Sequence, residues 1–258
     1  YGPVSVRQWD GERLPYVDNF VNLVVVSGVG CRVSEGEVRR VLVPNGVGFF
    51  REDGNWIKIV KPRPAEIDEW THFLYDASNN AVADDSVVGP PRQLQWVGDP
   101  KWARSHDHLA SVSALVGSGG RIFYIVDEGP AAAVVAPPRW ALVARDAFSG
   151  VVLWKRQIPV WEWHLRGFRS GPTEMPRRLV AVGDRVYVTL GYGKPVTALD
   201  ADVDPLTSSR PPLRISAVAI SSATISGWCS GRTTTAEPTR MRSVLAARCV
   251  ANISGRER

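Results

Sequence analysis

The 258-residue chain holds few of the residues that usually carry compact chemistry. Its three cysteines, Cys31, Cys229 and Cys249, are odd in number and far apart, so they form neither a disulfide framework nor a C-x-x-C metal pair. No apolar run approaches the ~20 residues needed to span a bilayer. No charged segment followed by an apolar stretch opens the chain, as an export signal would. It starts at Tyr1 rather than Met, and it reads as an incomplete piece of a larger protein. No phosphate-cradling glycine loop, Ser-His-Asp arrangement or carboxylate pair stands out, so no catalytic residue is assigned.

Lysine is missing from the tail. Residues 205–258 carry eight Arg, no Lys and two Glu, whereas everything before them carries 23 basic and 24 acidic residues. The formal charge of +5 therefore belongs wholly to the tail, and the foldable part is neutral. That distribution gives no reason to infer a nucleic-acid partner.

What the chain does have is tryptophan, ten of them, with frequent Gly and Pro punctuation. Wide rings suit packed sheet faces and seams between repeated units, which favours antiparallel β structure. The first 60 residues read differently. Val4-Ser5-Val6 is a short strand, and Leu23 to Val26 is a continuous apolar run typical of a strand buried on both faces. Ser34 can cap a helix over 35–42, with Glu37 three residues on as in a capping box, until Pro44-Asn45-Gly46 stops it. A further strand then turns at Asp53-Gly54 into Trp56–Val60. Strand, helix and strand in that order make an α/β segment over 1–60. Residues 61–93 read as linker and irregular structure, opening on the stiff Lys61-Pro62-Arg63-Pro64.

From Leu94 to Ala201 short strands follow one another, expected at 94–97, 110–116, 121–126, 140–145 and 151–156, and a repeat becomes visible. Gly120-Arg121-Ile122-Phe123-Tyr124 precedes Ala144-Arg145-Asp146-Ala147, as Asp184-Arg185-Val186-Tyr187-Val188 precedes Ala198-Leu199-Asp200-Ala201. The first unit continues into Gly150-Val151-Val152-Leu153-Trp154. Strand–turn–strand units of this size are what propeller blades look like, and blades cannot bury their faces alone. The second unit breaks after Ala201. Residues 202–258 are expected to be unstructured, either as a native basic tail or as translation out of frame.

These blade units resemble the repeats of quinoprotein-like (pyrroloquinoline-quinone-type) β-propellers. Leu14 to Val24 and Glu37 to Gly46 resemble two segments of a class I S-adenosylmethionine-dependent methyltransferase, the second being similar to its R-V-L-x-P-G-G motif. The motif's second Gly is Asn45 here, and a frequent Asp of the central strand is Asn22. The combination is similar to large exported bacterial proteins in which a methyltransferase-like segment precedes a propeller. The expected fold is thus mainly β, a partial propeller of about two blades after a short α/β Rossmann-like methyltransferase remnant. The resemblance implies pyrroloquinoline quinone or S-adenosylmethionine as possible cofactors of the parent, the remaining blades as partners, and a periplasmic or cell-envelope location.

Few residues suggest a site. Asp10 sits where the methyltransferase resemblance implies a carboxylate for the adenine amine, though Asp before Gly11 also suits a plain turn. His106-Asp107-His108 puts two imidazoles on one face of an extended segment, with Trp102 nearby as an aromatic surface for a ligand. His72 or Asp76 could supply a third ligand. Two imidazoles without a third do not define a zinc site, so no metal is assigned. Trp161-Glu162-Trp163-His164 could stack on a ligand or plug a seam between blades.

Overall fold

The computed structural model describes residues 5–9, 12–27, 33–87, 94–99, 112–132, 136–159, 176–191, 193–202, 217–221 and 243–247. It is mainly β, with several antiparallel sheets, and falls into two compact units: residues 1–63 with 215–258, and residues 64–214.

The first unit is a six-stranded sheet ordered β1-β13-β12-β2-β3-β4. Its strands are β1 (Ser5–Trp9), β2 (Val21–Val26), β3 (Leu42–Glu52), β4 (Asn55–Val60), β12 (Ala217–Ser221) and β13 (Ser243–Ala247). Helix α1 (Glu35–Val41) links β2 to β3, which pair in parallel. The helix starts where expected because the Ser34 side chain accepts from the Glu37 amide at 3.1 Å. It ends earlier than Pro44 requires: Leu42 is already extended, and β3 runs through Pro44-Asn45-Gly46 as a local excursion with Asn45 at φ 65°. That excursion is closed by Asn45 N to Lys61 O at 2.8 Å and Lys61 N to Gly46 O at 3.0 Å. The Asp53-Gly54 hairpin forms as expected, with both residues at positive φ between the paired Glu52 and Asn55.

Strand β2 is not equally buried on both faces. Val24 and Val26 pack with Val38, Val41 and Ile220, while Leu23 and Val25 are half-exposed on the other side. The tail also departs from expectation, since β12 pairs in parallel with β2, and β13 lies between β12 and β1. The apolar run Ala217–Ile220 accounts for this, because its Ile220 is fully buried in the core against α1.

The second unit holds two antiparallel meanders. One has the order β5-β6-β7-β8, with β5 (Val112–Ser118), β6 (Arg121–Asp127), β7 (Trp140–Asp146) and β8 (Val152–Gln157). The other has three strands, β9 (Leu179–Val182), β10 (Arg185–Thr189) and β11 (Val196–Asp200), with β10 in the middle. Leu94 to Val97 is not a strand. The sheets pack face to face: Val116, Phe123, Ile125 and Leu142 of the first meet Leu179, Val186, Val188 and Leu199 of the second in one apolar core. Each large side chain buried there contributes about 1.5–3 kcal/mol.

The sequence repeat is repeated atom by atom. Arg121 pairs with Asp146 across β6 and β7, and Arg185 pairs with Asp200 across β10 and β11. Ala147 N donates to Gly120 O at 2.9 Å, as Ala201 N does to Asp184 O at 3.0 Å. The Asp146 carboxylate accepts from the amide two residues on, Phe148, and Asp200 accepts likewise from Asp202. Indoles join the units in the same way. Trp154 Nε1 donates to Ala201 O, and Trp96 Nε1 to Ala147 O, both at 2.9 Å. Trp96 therefore stands to the first sheet as Trp154 stands to the second.

Candidate functional site

The meanders give the second unit two unlike ends. At one end lie the tight turns Gly119-Gly120, 147–150 and Gly183-Asp184. At the other end the chain enters β5 at Val112, crosses from β6 to β7 over 128–139, leaves β8 at Ile158, and crosses from β10 to β11 over 190–195. Rigid sheets presenting their longer loops at one end make that end the candidate binding surface.

The tight-turn end is held by local ion pairs and backbone bonds. Glu69 accepts from Gly119 N at 2.8 Å and Ser118 Oγ at 2.9 Å. Its neighbours extend the stitch: Gly117 N donates to Trp70 O at 2.7 Å, and Ala181 N to Thr71 O at 3.0 Å. Segment 69–71 thus ties the first sheet to the second. Arg121 reinforces the join by donating to Gly183 O and the Asp184 carboxylate, each at 3.2 Å, and by pairing with Asp202. These contacts engage Glu69, Asp184 and Asp202 in holding the turns together.

The loop-bearing end is pinned at its base. Asp127, nearly buried, accepts from Gly129 N at 2.7 Å and Arg139 N at 2.8 Å, so one carboxylate holds both feet of the 128–139 loop. Glu128 pairs with Lys155 at 2.5 Å beside it. Lys155 is thereby engaged across the sheet.

Of the residues singled out in the sequence, Asp10, Trp102, His106, Asp107, His108 and the 161–164 cluster lie outside the described residues. His72 and Asp76 are described. The His72 Nδ1 lies 2.8 Å from Thr71 Oγ1, and its amide donates to Tyr75 O. Asp76 accepts from Ser78 Oγ at 2.6 Å and Ser78 N at 2.8 Å, and these bonds hold its pKa below the usual carboxylate range. Nearby, the Tyr75 hydroxyl donates to Asp68 at 2.6 Å, which raises the phenol's pKa well above its ordinary value. Among the described residues no three His, Cys, Asp or Glu side chains are grouped to hold a metal. Nor is any described helix long and apolar enough to cross a membrane.

A polar centre in the first unit was not legible as a site. Arg40 on α1 uses every donor it has: Nε to Glu37 Oε2, Nη1 to Asp18 Oδ1 and Tyr16 O, and Nη2 to Glu37 Oε1 and Leu14 O, at 2.6–3.1 Å. The Arg40 hydrogen bonds also hold Glu37 below the usual carboxylate range. Lys61 Nζ meets Asn19 Oδ1 at 2.6 Å and Leu42 O at 2.8 Å, placing a cation at the carbonyl end of α1. Burial lowers its pKa, against the nearby Asp18 charge. The two segments that resemble a methyltransferase, 14–24 and 37–46, are the ones Arg40 clamps together. Sequence spacing alone could not show this, because two of the five acceptors are backbone carbonyls and Asp18 lies 22 residues away.

No protein family, curated protein or solved structure matches this chain.

Proposed function

We propose that the second unit is part of a quinoprotein-like β-propeller that serves as a non-catalytic binding scaffold in an exported multidomain protein, using its loop-bearing end. The observation that supports this most is the repeated register, Arg121 with Asp146 and Arg185 with Asp200, carrying the same hydrogen bonds in both sheets. Such a repeat gives a rigid frame for loops. The loop-bearing end offers hydrogen-bonding groups on a rigid frame, which suits recognition. A parallel β2–α1–β3 crossover supports a second reading, a methyltransferase whose cofactor loop lies upstream.

Calorimetric titration separates these readings. The scaffold reading expects no heat with S-adenosylmethionine, and none with pyrroloquinoline quinone in the presence of Ca²⁺. Micromolar binding of the quinone would make the parent a quinone-dependent dehydrogenase. Micromolar binding of S-adenosylmethionine would move the function to the first unit.

A further inference from the structure

Strand β4 ends the order of the first unit's sheet, and among the described residues it pairs only with β3. Antiparallel ladder bonds alternate along a strand. Lys61 N donates to Gly46 O on the β3 side, so Asn55, Ile57 and Ile59 also turn their backbone groups toward β3. Trp56, Lys58 and Val60 therefore turn theirs to the open edge. One of these groups is taken, since Val60 O accepts from Arg39 Nη1 at 3.3 Å. The side chains along the edge are open as well: Trp56 is 51% exposed, Ile57 45% and Val60 47%. Edge strands are commonly kept short, charged or covered, because they are templates for another strand. Asn55–Val60 carries only one charge, on Lys58.

We propose that β4 is the docking edge for a second copy of this chain, the two β4 strands pairing antiparallel about a two-fold axis at Ile57. The strand's own sequence selects both the occupant and the register, because only Trp56, Lys58 and Val60 have backbone groups that face outward. An axis at Lys58 sets Lys58 directly against the partner's Lys58, which is repulsive. An axis at Ile59 needs Val60 O, which Arg39 already holds. An axis at Trp56 sets Lys58 against the partner's Gly54 and leaves its charge unanswered. An axis at Ile57 meets none of these objections. Trp56 then stands opposite the partner's Lys58, and each such pair exchanges both of its backbone bonds. The Trp56 ring already has Arg51 6.0 Å from its centroid and lies edge-on to Phe49 at 6.4 Å. Arg51 is registered with Trp56, and Phe49 with Lys58. The joined row thus reads Arg51, Trp56, the partner's Lys58, the partner's Phe49, with cations and aromatic rings alternating. On the opposite face Ile57 meets the partner's Ile57. A foreign strand would have to bring its own ring or carboxylate to Lys58, whereas the second copy carries Trp56 at that place. Isologous pairing uses both edges at once, so assembly stops at a dimer. One shared strand is a small interface, and association is correspondingly weak and concentration-dependent.

The test is sedimentation equilibrium of the full chain over a concentration series, run beside amide hydrogen exchange. The mass should rise from one chain toward two, while exchange at the Trp56 and Lys58 amides slows several-fold. The Ile57 and Ile59 amides, already bonded to β3, should keep their rates. Ile57→Lys and Ile57→Glu should each weaken association by about tenfold or more, through like charges set directly opposite. Their equimolar mixture should recover it, because this register sets residue 57 against itself. A chain that stays monomeric at every concentration overturns the proposal, and so does an edge that accepts only a foreign strand. A dimer in which Trp56 and Lys58 exchange at unchanged rates places the contact elsewhere and sinks it too. A mixture that associates no better than either variant alone rules out the Ile57 axis. Should a variant fail to fold, exchange at these amides in the unaltered chain decides the matter.

Discussion

The indole of Trp154 donates to the carbonyl of Ala201, 47 residues further along the chain, and both residues are buried. A buried carbonyl with no donor pays a desolvation cost that a surface carbonyl does not, so this bond ties two sheets more firmly than its own net strength suggests. Trp154→Phe keeps most of the ring but removes the donor. The expected loss is about 2 kcal/mol in the unfolding transition of the second unit, seen in urea. Trp96→Phe, at a partly exposed site, should cost less. Equal effects at the two positions would refute the distinction.

Gly150 and Gly183 both have positive φ, at 71° and 57°, yet they predict different costs. A Cβ on Gly150 would come within 2.5 Å of the Trp96 ring, whereas on Gly183 it would meet nothing within 4 Å. Gly183→Ala should therefore cost only the backbone penalty of about 1–2 kcal/mol. Gly150→Ala should cost clearly more, and the excess should vanish in a Trp96→Ala background. Denaturation of the four variants and the parent checks this; an excess that survives loss of the ring would show that the clash is not its source.

The strands of the second unit were legible because alternation and glycine turns act locally: Arg121 to Val126 and Trp140 to Arg145 lie within the strands observed. The capped start of α1 and the Asp53-Gly54 hairpin were legible for the same reason. Pairing was not. Ala217–Ser221 reads as part of an aperiodic tail, and pairing with β2 and β13 makes it a strand. Leu94 to Val97 reads as a strand but is not one, and Trp96 is held by its bond to Ala147 and by the Arg145 guanidinium over its ring. The Glu69 and Arg121 stitches were invisible because their side-chain partners lie 49 to 81 residues away and the rest are turn amides and carbonyls, which carry no sequence signal. The mouth cluster His106-Asp107-His108 remains a sequence feature, outside the described residues.

Thr189 Oγ1 at the end of β10 is buried with no hydrogen-bond partner among the described residues. An orphaned hydroxyl costs the water it has lost, and a methyl of the same shape does not. Thr189→Val is therefore expected to stabilise the chain by about 1 kcal/mol, with valine's strand preference acting in the same direction. A lower denaturation midpoint would mean that the hydroxyl has a partner after all, such as a bound water.

Glu37 and Arg40 predict an acid-dependent stability of the first unit. Hydrogen bonding to Arg40 is the main cause of Glu37's lowered pKa, with burial opposing it and the Leu14 amide adding to it. A carboxylate with a folded pKa below its unfolded value near 4.3 contributes stability that is fully present above that value. The contribution is lost as pH falls through the folded pKa. Glu37→Gln keeps an acceptor for Leu14 N at 2.7 Å but removes the charge that faces Arg40. At pH 7 this substitution should cost about 1–2 kcal/mol, as expected for charge-assisted bonds in a mostly buried pair. The difference should start to shrink as pH falls below the unfolded value near 4.3. Parent and variant should converge only once pH is below the lowered folded pKa, where both carry a neutral group. Arg40→Lys should cost at least as much at pH 7, because three donors on a point charge cannot serve five acceptors arranged around a planar fork. Urea denaturation from pH 3 to 7, followed by amide hydrogen exchange over α1, measures both differences. A Glu37→Gln deficit that stays constant across the range would show that the loop 12–20 is held by shape and backbone bonds, and that the Glu37 charge contributes nothing.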